Sequence, residues 1–258
     1  MRRRQGGITA KVARRGVRAY MGAMTASYFQ DTPARGPWSG QEPESEARRP
    51  DREPVFNAPW PAIALVVVIL GGYALQSRLS DEFVIASYAF APAALLQHRW
   101  ATLVTALFLH GNWGHALMNA AFALAFATPV ARFFGTRLPG AALFFAFYLV
   151  CGVLSNLGYA AVHWGSAAAL VGASGALSGL MGAAARLIAG GGRLGRIVSS
   201  PVIGMGAAWV IVNLLIGALG SAFVPGAGGA GIAWEAHLAG FLAGVLLIGP
   251  FARIARRA

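Results

Sequence analysis

The chain has one cysteine, few charges and very few acids. Cys151 stands alone, so no disulfide can form within the chain. It also sits inside an apolar run, where a thiolate is disfavoured, so it is read as core and not as a nucleophile. Charged residues make up 12% of the 258 residues against 57% hydrophobic, which excludes an ordinary water-soluble globule. Only nine residues are Asp or Glu against 21 Lys or Arg, for a net charge of +12. In a soluble protein that excess would point to nucleic acid. Here the positive charge lies mostly outside the apolar segments, so membrane topology accounts for it and no nucleic-acid partner is expected. The basic N-terminal region is not followed by an apolar stretch and a small-residue cleavage site, so it does not read as a signal peptide.

What is present is a series of apolar segments. Residues 1–58 hold none, and read as a basic and then disordered tail with a short surface-lying helix in its first twenty residues. Met21 and Met24 are alternative start positions. Six segments near the roughly 20 residues needed to cross a bilayer follow. They are placed at 59–76, 114–134, 139–163, 174–189, 201–221 and 232–251. The apolar stretch 100–109 is too brief to cross and reads as part of a structured loop. The expected fold class is therefore all-α: a polytopic six-helix membrane bundle over residues 59–252, with a short basic end at 253–258. With these spans, 19 of the 21 Lys and Arg fall on one side and only Arg78 and Arg99 on the other. The positive-inside rule then puts both termini in the cytoplasm.

In that topology the second, fourth and sixth spans start on the outer side. The fourth opens with the run Gly172-Ala173-Ser174-Gly175, in which a hydroxyl stands beside glycine where a loop becomes a helix. His115 and Asn119, spaced i, i+4, share a face at the start of the second span. His237 falls about five residues into the sixth, roughly 8 Å below its outer end at 1.5 Å per residue. Polar groups from three helices at one depth are costly in a bilayer and are usually functional. A serine hydroxyl needs a neighbouring base, and neutral imidazole suits that role. Asp81, Glu82 and Glu235 all read as surface acids, so the pattern points to a Ser–His dyad without a carboxylate. His115, Asn119 and the Ser174 N–H then stand as oxyanion donors at a helix N-terminus.

These residues resemble the rhomboid family of intramembrane serine proteases, bacterial type. The matching pattern is His110-Gly111-Asn112-Trp113-Gly114-His115-Ala116-Leu117-Met118-Asn119, then Gly172-Ala173-Ser174-Gly175, then Ala236-His237-Leu238-Ala239-Gly240 with Gly244. The resemblance implies Ser174 as nucleophile, His237 as its base, and His115 and Asn119 as oxyanion donors. It also implies His110 as a brace for the first loop, and Gly240 and Gly244 as the contact between the sixth and fourth helices. It implies transmembrane-helix substrates, the lipid bilayer as surroundings, the bacterial inner membrane as location, and neither cofactor nor metal. Two features depart from the family pattern. Ser178 stands where many members carry an aromatic stacked on the catalytic histidine, so a looser hold on His237 is expected. Ala101 and Thr102 stand where many carry a Trp-Arg pair, with Arg99-Trp100 just upstream.

Three other readings compete. A zinc site of His110, His115 and His237 lacks the carboxylate base that an HExxH helix brings. A catalytically inactive rhomboid-like protein that binds transmembrane clients is opposed by the full Ser, His, Asn and Gly set. A transporter with a broken fourth helix lacks a visible inverted repeat.

Overall fold

Pro59 and Pro61 start the first helix, α1 (Trp60–Gln76), where a missing backbone N–H costs nothing. The computed structural model describes residues 57–219 and 233–256, so all but the last two residues of the expected N-terminal tail lie outside the described residues. After α1 the chain makes three short helices and a turn: α2 (Asp81–Tyr88), α3 (Pro92–Leu96), α4 (Thr102–Thr105) and a 3₁₀ turn at Ala106–Phe108. Ser80 caps α2 by accepting from the Phe83 N–H at 3.4 Å, and Asp81 and Glu82 in its first turn complement the helix dipole. Five longer helices follow: α5 (Trp113–Phe134), α6 (Leu138–Val162), α7 (Ser174–Ala189), α8 (Ser200–Leu219) and α9 (Trp234–Ala255).

Among the described residues every regular element is a helix, and the one β contact is the bridge between Phe90 and Leu170. Helices α5, α6 and α9 are long and apolar enough to cross a membrane. Helices α1 and α7, and the Ser200–Ile216 part of α8, are apolar but shorter. One boundary moves the candidate site. The last helix begins at Trp234 and runs to Ala255, so His237 is its fourth residue and Arg253 lies within it. That puts His237 about 4.5 Å along the helix from its start at 1.5 Å per residue.

Helix α7 is the centre of the bundle. Every residue from Gly175 to Leu187 is buried, against α9, α6, α5 and α8. Without a hydrophobic drive between helices in lipid, such a core depends on close van der Waals packing, which small residues permit. A methyl added at Gly240 would run into the Gly175 carbonyl, and one at Gly244 into the Gly179 carbonyl. Backbones of α7 and α9 therefore touch along two successive turns. Arg186, in the last turn of α7, does not sit free at a surface as its charge suggests. It is buried, and its guanidinium donates to the Gly195 carbonyl at 3.1 and 2.8 Å and to the Val245 carbonyl at 3.0 Å. This ties the connection after α7 to α9.

The loop between α1 and α5 holds the segment that leads into α7. Phe90 and Leu170 exchange backbone bonds at 3.1 and 2.6 Å, and the Ala93 N–H reaches the Ser166 carbonyl at 2.9 Å. The Gly172 N–H donates to the Ala106 carbonyl at 2.9 Å. The loop is itself braced. Arg99 donates to the carbonyls of Ala86 and Ser87 at 2.7 and 2.8 Å, and Asn156 of α6 donates to the Leu103 carbonyl at 2.9 Å.

Candidate active site

Ser174 is the first residue of α7, preceded by Ala173 as its cap. Just before them, Gly172 has φ +129°, a conformation closed to ordinary side chains. A Cβ there would also stand 2.9 Å from Cε1 and Nε2 of His115. The glycine thus serves both the turn and the close approach of the His115 ring. The Ser174 hydroxyl lies 2.8 Å from His237 Nε2. Ser178, one turn on, bonds back to the Ser174 carbonyl at 2.8 Å and is buried. The two serines of this helix therefore have different partners, and only Ser174 meets an imidazole.

His237 is gripped from its other side. Its Nδ1 lies 2.7 Å from Asn213 Oδ1, and the Trp209 ring leans on it with centroids 5.6 Å apart at 39°. Both partners come from α8, one turn apart. The looser hold expected from Ser178 is therefore corrected: Trp209 supplies an aromatic face and Asn213 a hydrogen bond from a different helix. Ser155 of α6 donates to the Ala236 carbonyl at 2.7 Å, which steadies the turn that carries His237.

Helix α5 contributes through its cap. Asn112 accepts the His115 N–H at 2.9 Å, so α5 begins with His115 in its first turn. His115 Nδ1 accepts the Gly111 N–H at 3.3 Å, which assigns the proton to Nε2, the atom beside Gly172. Asn119 donates one amide hydrogen to the His115 carbonyl at 3.0 Å, and its side chain lines the same cavity. His110 lies behind this layer, fully buried, with its ring 5.2 Å from that of His115. Gln76 accepts its backbone N–H at 3.0 Å and donates to its carbonyl at 2.7 Å. Burial first, and the nearby His115 second, lower the His110 pKa to about 3.

Glu235 is not simply a surface acid. It lines the cavity and meets His163 Nε2 at 2.9 Å, while the His163 ring stacks on Tyr159 at 4.3 Å. Its hydrogen bond goes to His163, whereas those of His237 go to Ser174 and Asn213. The cavity itself measures about 760 Å³ and is lined by Ser174, His237, His115 and Asn119, with Gly172 and Gly175 at its wall. Gly240 and Gly244 lie on the packed side of α9, against α7. Among the described residues, no three His, Cys, Asp or Glu side chains gather as a metal site would require. Sequence reasoning missed Asn213, Trp209 and the His163–Glu235 pair. A signal existed for the first two: an Asn placed four residues after a Trp within an otherwise apolar span.

No curated protein matches the chain. The family model described as Rhomboid domain matches residues 97–254, which include both the Ser174 run and the His237 helix. With more than half of its length matched and its helices apolar, this chain belongs to the rhomboid family of membrane proteins.

Proposed function

We propose that the protein is an intramembrane serine endopeptidase that cuts transmembrane segments of other membrane proteins near their outer end. The observation that carries this reading is the 2.8 Å approach of the Ser174 hydroxyl to His237 Nε2, at the wall of a cavity between helices. In the first step His237 takes the hydroxyl proton while Ser174 Oγ bonds to the scissile carbonyl carbon. The resulting oxyanion is met by His115 Nε2–H, the second amide hydrogen of Asn119 and the N–H groups that open α7. His237 then gives its proton to the departing amine, leaving an acyl-serine. Water, deprotonated by the same imidazole, releases the acid and restores Ser174.

The reading extends to the membrane. Six spans with both termini on the cytoplasmic side are supported by three full-length apolar helices, three shorter ones and the distribution of Lys and Arg. At 16 residues, α7 is about 24 Å long, some 6 Å less than a typical apolar layer, which favours a serine recessed below the surface. The bacterial inner membrane is the location this topology suits. The test is cleavage in proteoliposomes of a single-span substrate by the full chain. Wild type should cut it, and Ser174→Ala and His237→Ala should not, while both variants keep the wild-type melting profile. A folded wild type that binds such a segment without cutting it would favour an inactive, client-binding rhomboid.

A further inference from the structure

We infer that Asn213 is a positioning residue for His237, and that the site is a Ser174–His237–Asn213 relay drawn from α7, α9 and α8. The inference rests on the protease reading but concerns how its base is prepared. Asn213 is 2% exposed, and its amide is oriented by its own helix: Nδ2 donates to the Trp209 carbonyl at 2.8 Å. That bond leaves Oδ1 as the atom facing His237 Nδ1, at 2.7 Å. An amide oxygen only accepts, so Nδ1 must carry the imidazole proton. Nε2 is then the lone-pair nitrogen, and it is the one 2.8 Å from the Ser174 hydroxyl. The opposite tautomer would set an Nε2–H donor against the serine and leave Nδ1 and Oδ1 as two facing acceptors.

The bland account is that Asn213 merely satisfies its own backbone, as buried polar residues in helices do. That account uses Nδ2 and leaves Oδ1 without a purpose. The second hydrogen bond, and the Trp209 ring one turn away against the same imidazole, give both side chains one target. The chemistry also suits the place. When His237 takes the serine proton, the Asn213 oxygen stabilises the imidazolium through Nδ1–H, as a carboxylate does in soluble triads. A neutral amide does so more weakly, but it avoids a buried carboxylate at membrane depth. The one acid lining the cavity, Glu235, is engaged with His163 instead.

The test has two independent readouts on the full detergent-solubilised chain. First, ¹⁵N spectra of histidine-labelled protein report each ring tautomer, and with five histidines the His237 signal is assigned by its loss in His237→Ala. Wild type should show the Nδ1–H form near neutral pH, and Asn213→Ala should populate the Nε2–H form. An Nε2–H tautomer in wild type overturns the inference. Second, Asn213→Ala should lower kcat by about 10- to 100-fold with KM little changed, the size expected for losing a hydrogen bond to a charged group. Asn213→Asp, which presents an oxygen to Nδ1 in either protonation state, should recover part of that loss. Equal kcat in wild type and Asn213→Ala, or an equal drop in the Ala and Asp variants, overturns the relay. The spectra need no turnover, so a wild type that fails to cut any substrate refutes the protease reading separately and leaves the tautomer result to stand or fall alone.

Discussion

Ser174 and Ser178 are one turn apart on the same helix, and their surroundings divide them. Ser178 is packed and closes a bond to the carbonyl behind it, while Ser174 opens the helix and faces a base. Ser178→Ala should therefore keep most of the proteolytic activity, measured as kcat/KM, whereas Ser174→Ala should have none. Asn119→Ala removes one oxyanion donor and should lower kcat by about 10²–10³ with KM nearly constant. A pure KM effect would assign Asn119 to substrate positioning instead. His110 predicts a pH effect on stability. Its folded pKa of about 3 lies below the ordinary 6.5, so the unfolded chain binds the extra proton between those values. The stabilisation is complete above about pH 6.5 and is lost as pH falls toward 3. Melting temperature should fall less steeply over pH 6.5–4.5 in His110→Leu than in wild type; parallel slopes would deny His110 that role. At this scale the motif residues were legible because each sits in a local pattern of glycines and polar residues. Asn213 left only a faint signal, an amide four residues after Trp209 in an apolar span, which acquires meaning when α8 is packed beside α9.

The elements owe their arrangement to glycine contacts that sequence spacing anticipates and packing makes concrete. Gly244→Val places carbon against the Gly179 carbonyl, which is backbone and cannot rotate away. It should destabilise the bundle by about 1–3 kcal/mol, read as a melting temperature lowered by several degrees. Gly204→Ala on α8 meets nothing within 4 Å and should be neutral, or stabilising by up to about 1 kcal/mol. If both variants melt alike, the α7–α9 contact is not what the geometry describes. Helix starts at Trp60, Trp113 and Ser174 lie within a residue of those read from the sequence, because proline, an Asn cap and a Gly-rich turn mark them. The start of α9 carries no such mark. Its cap, Ala233, makes no side-chain bond, and hydropathy continues across the boundary, so the sequence leaves the helix start open by a residue or two. The buried partners of Arg186 were equally illegible, since a charge at a helix end reads as a surface charge until the neighbouring carbonyls are known.

For the whole molecule, the proposed protease reading sets limits on what it can cut. A transmembrane helix keeps its carbonyls bonded internally, because lipid offers no replacement partner. Its scissile bond becomes reachable where local unwinding is cheap, near Gly or Pro. Cleavage should therefore fall near the outer end of a single-span protein, with helix-breaking residues a turn or two downstream of the cut. Replacing those breakers with Leu should suppress cutting in proteoliposomes even with the cut site unchanged, and equal cutting would contradict this account of selectivity. The central claim, that Ser174 is a nucleophile activated by His237, is tested most directly by covalent capture. Purified full-length protein is treated with a fluorophosphonate and the adduct is located by mass spectrometry of its peptides. The account predicts a single adduct on Ser174, retained in Ser178→Ala and lost in Ser174→Ala and His237→Ala. An adduct of undiminished yield in Ser174→Ala would contradict it.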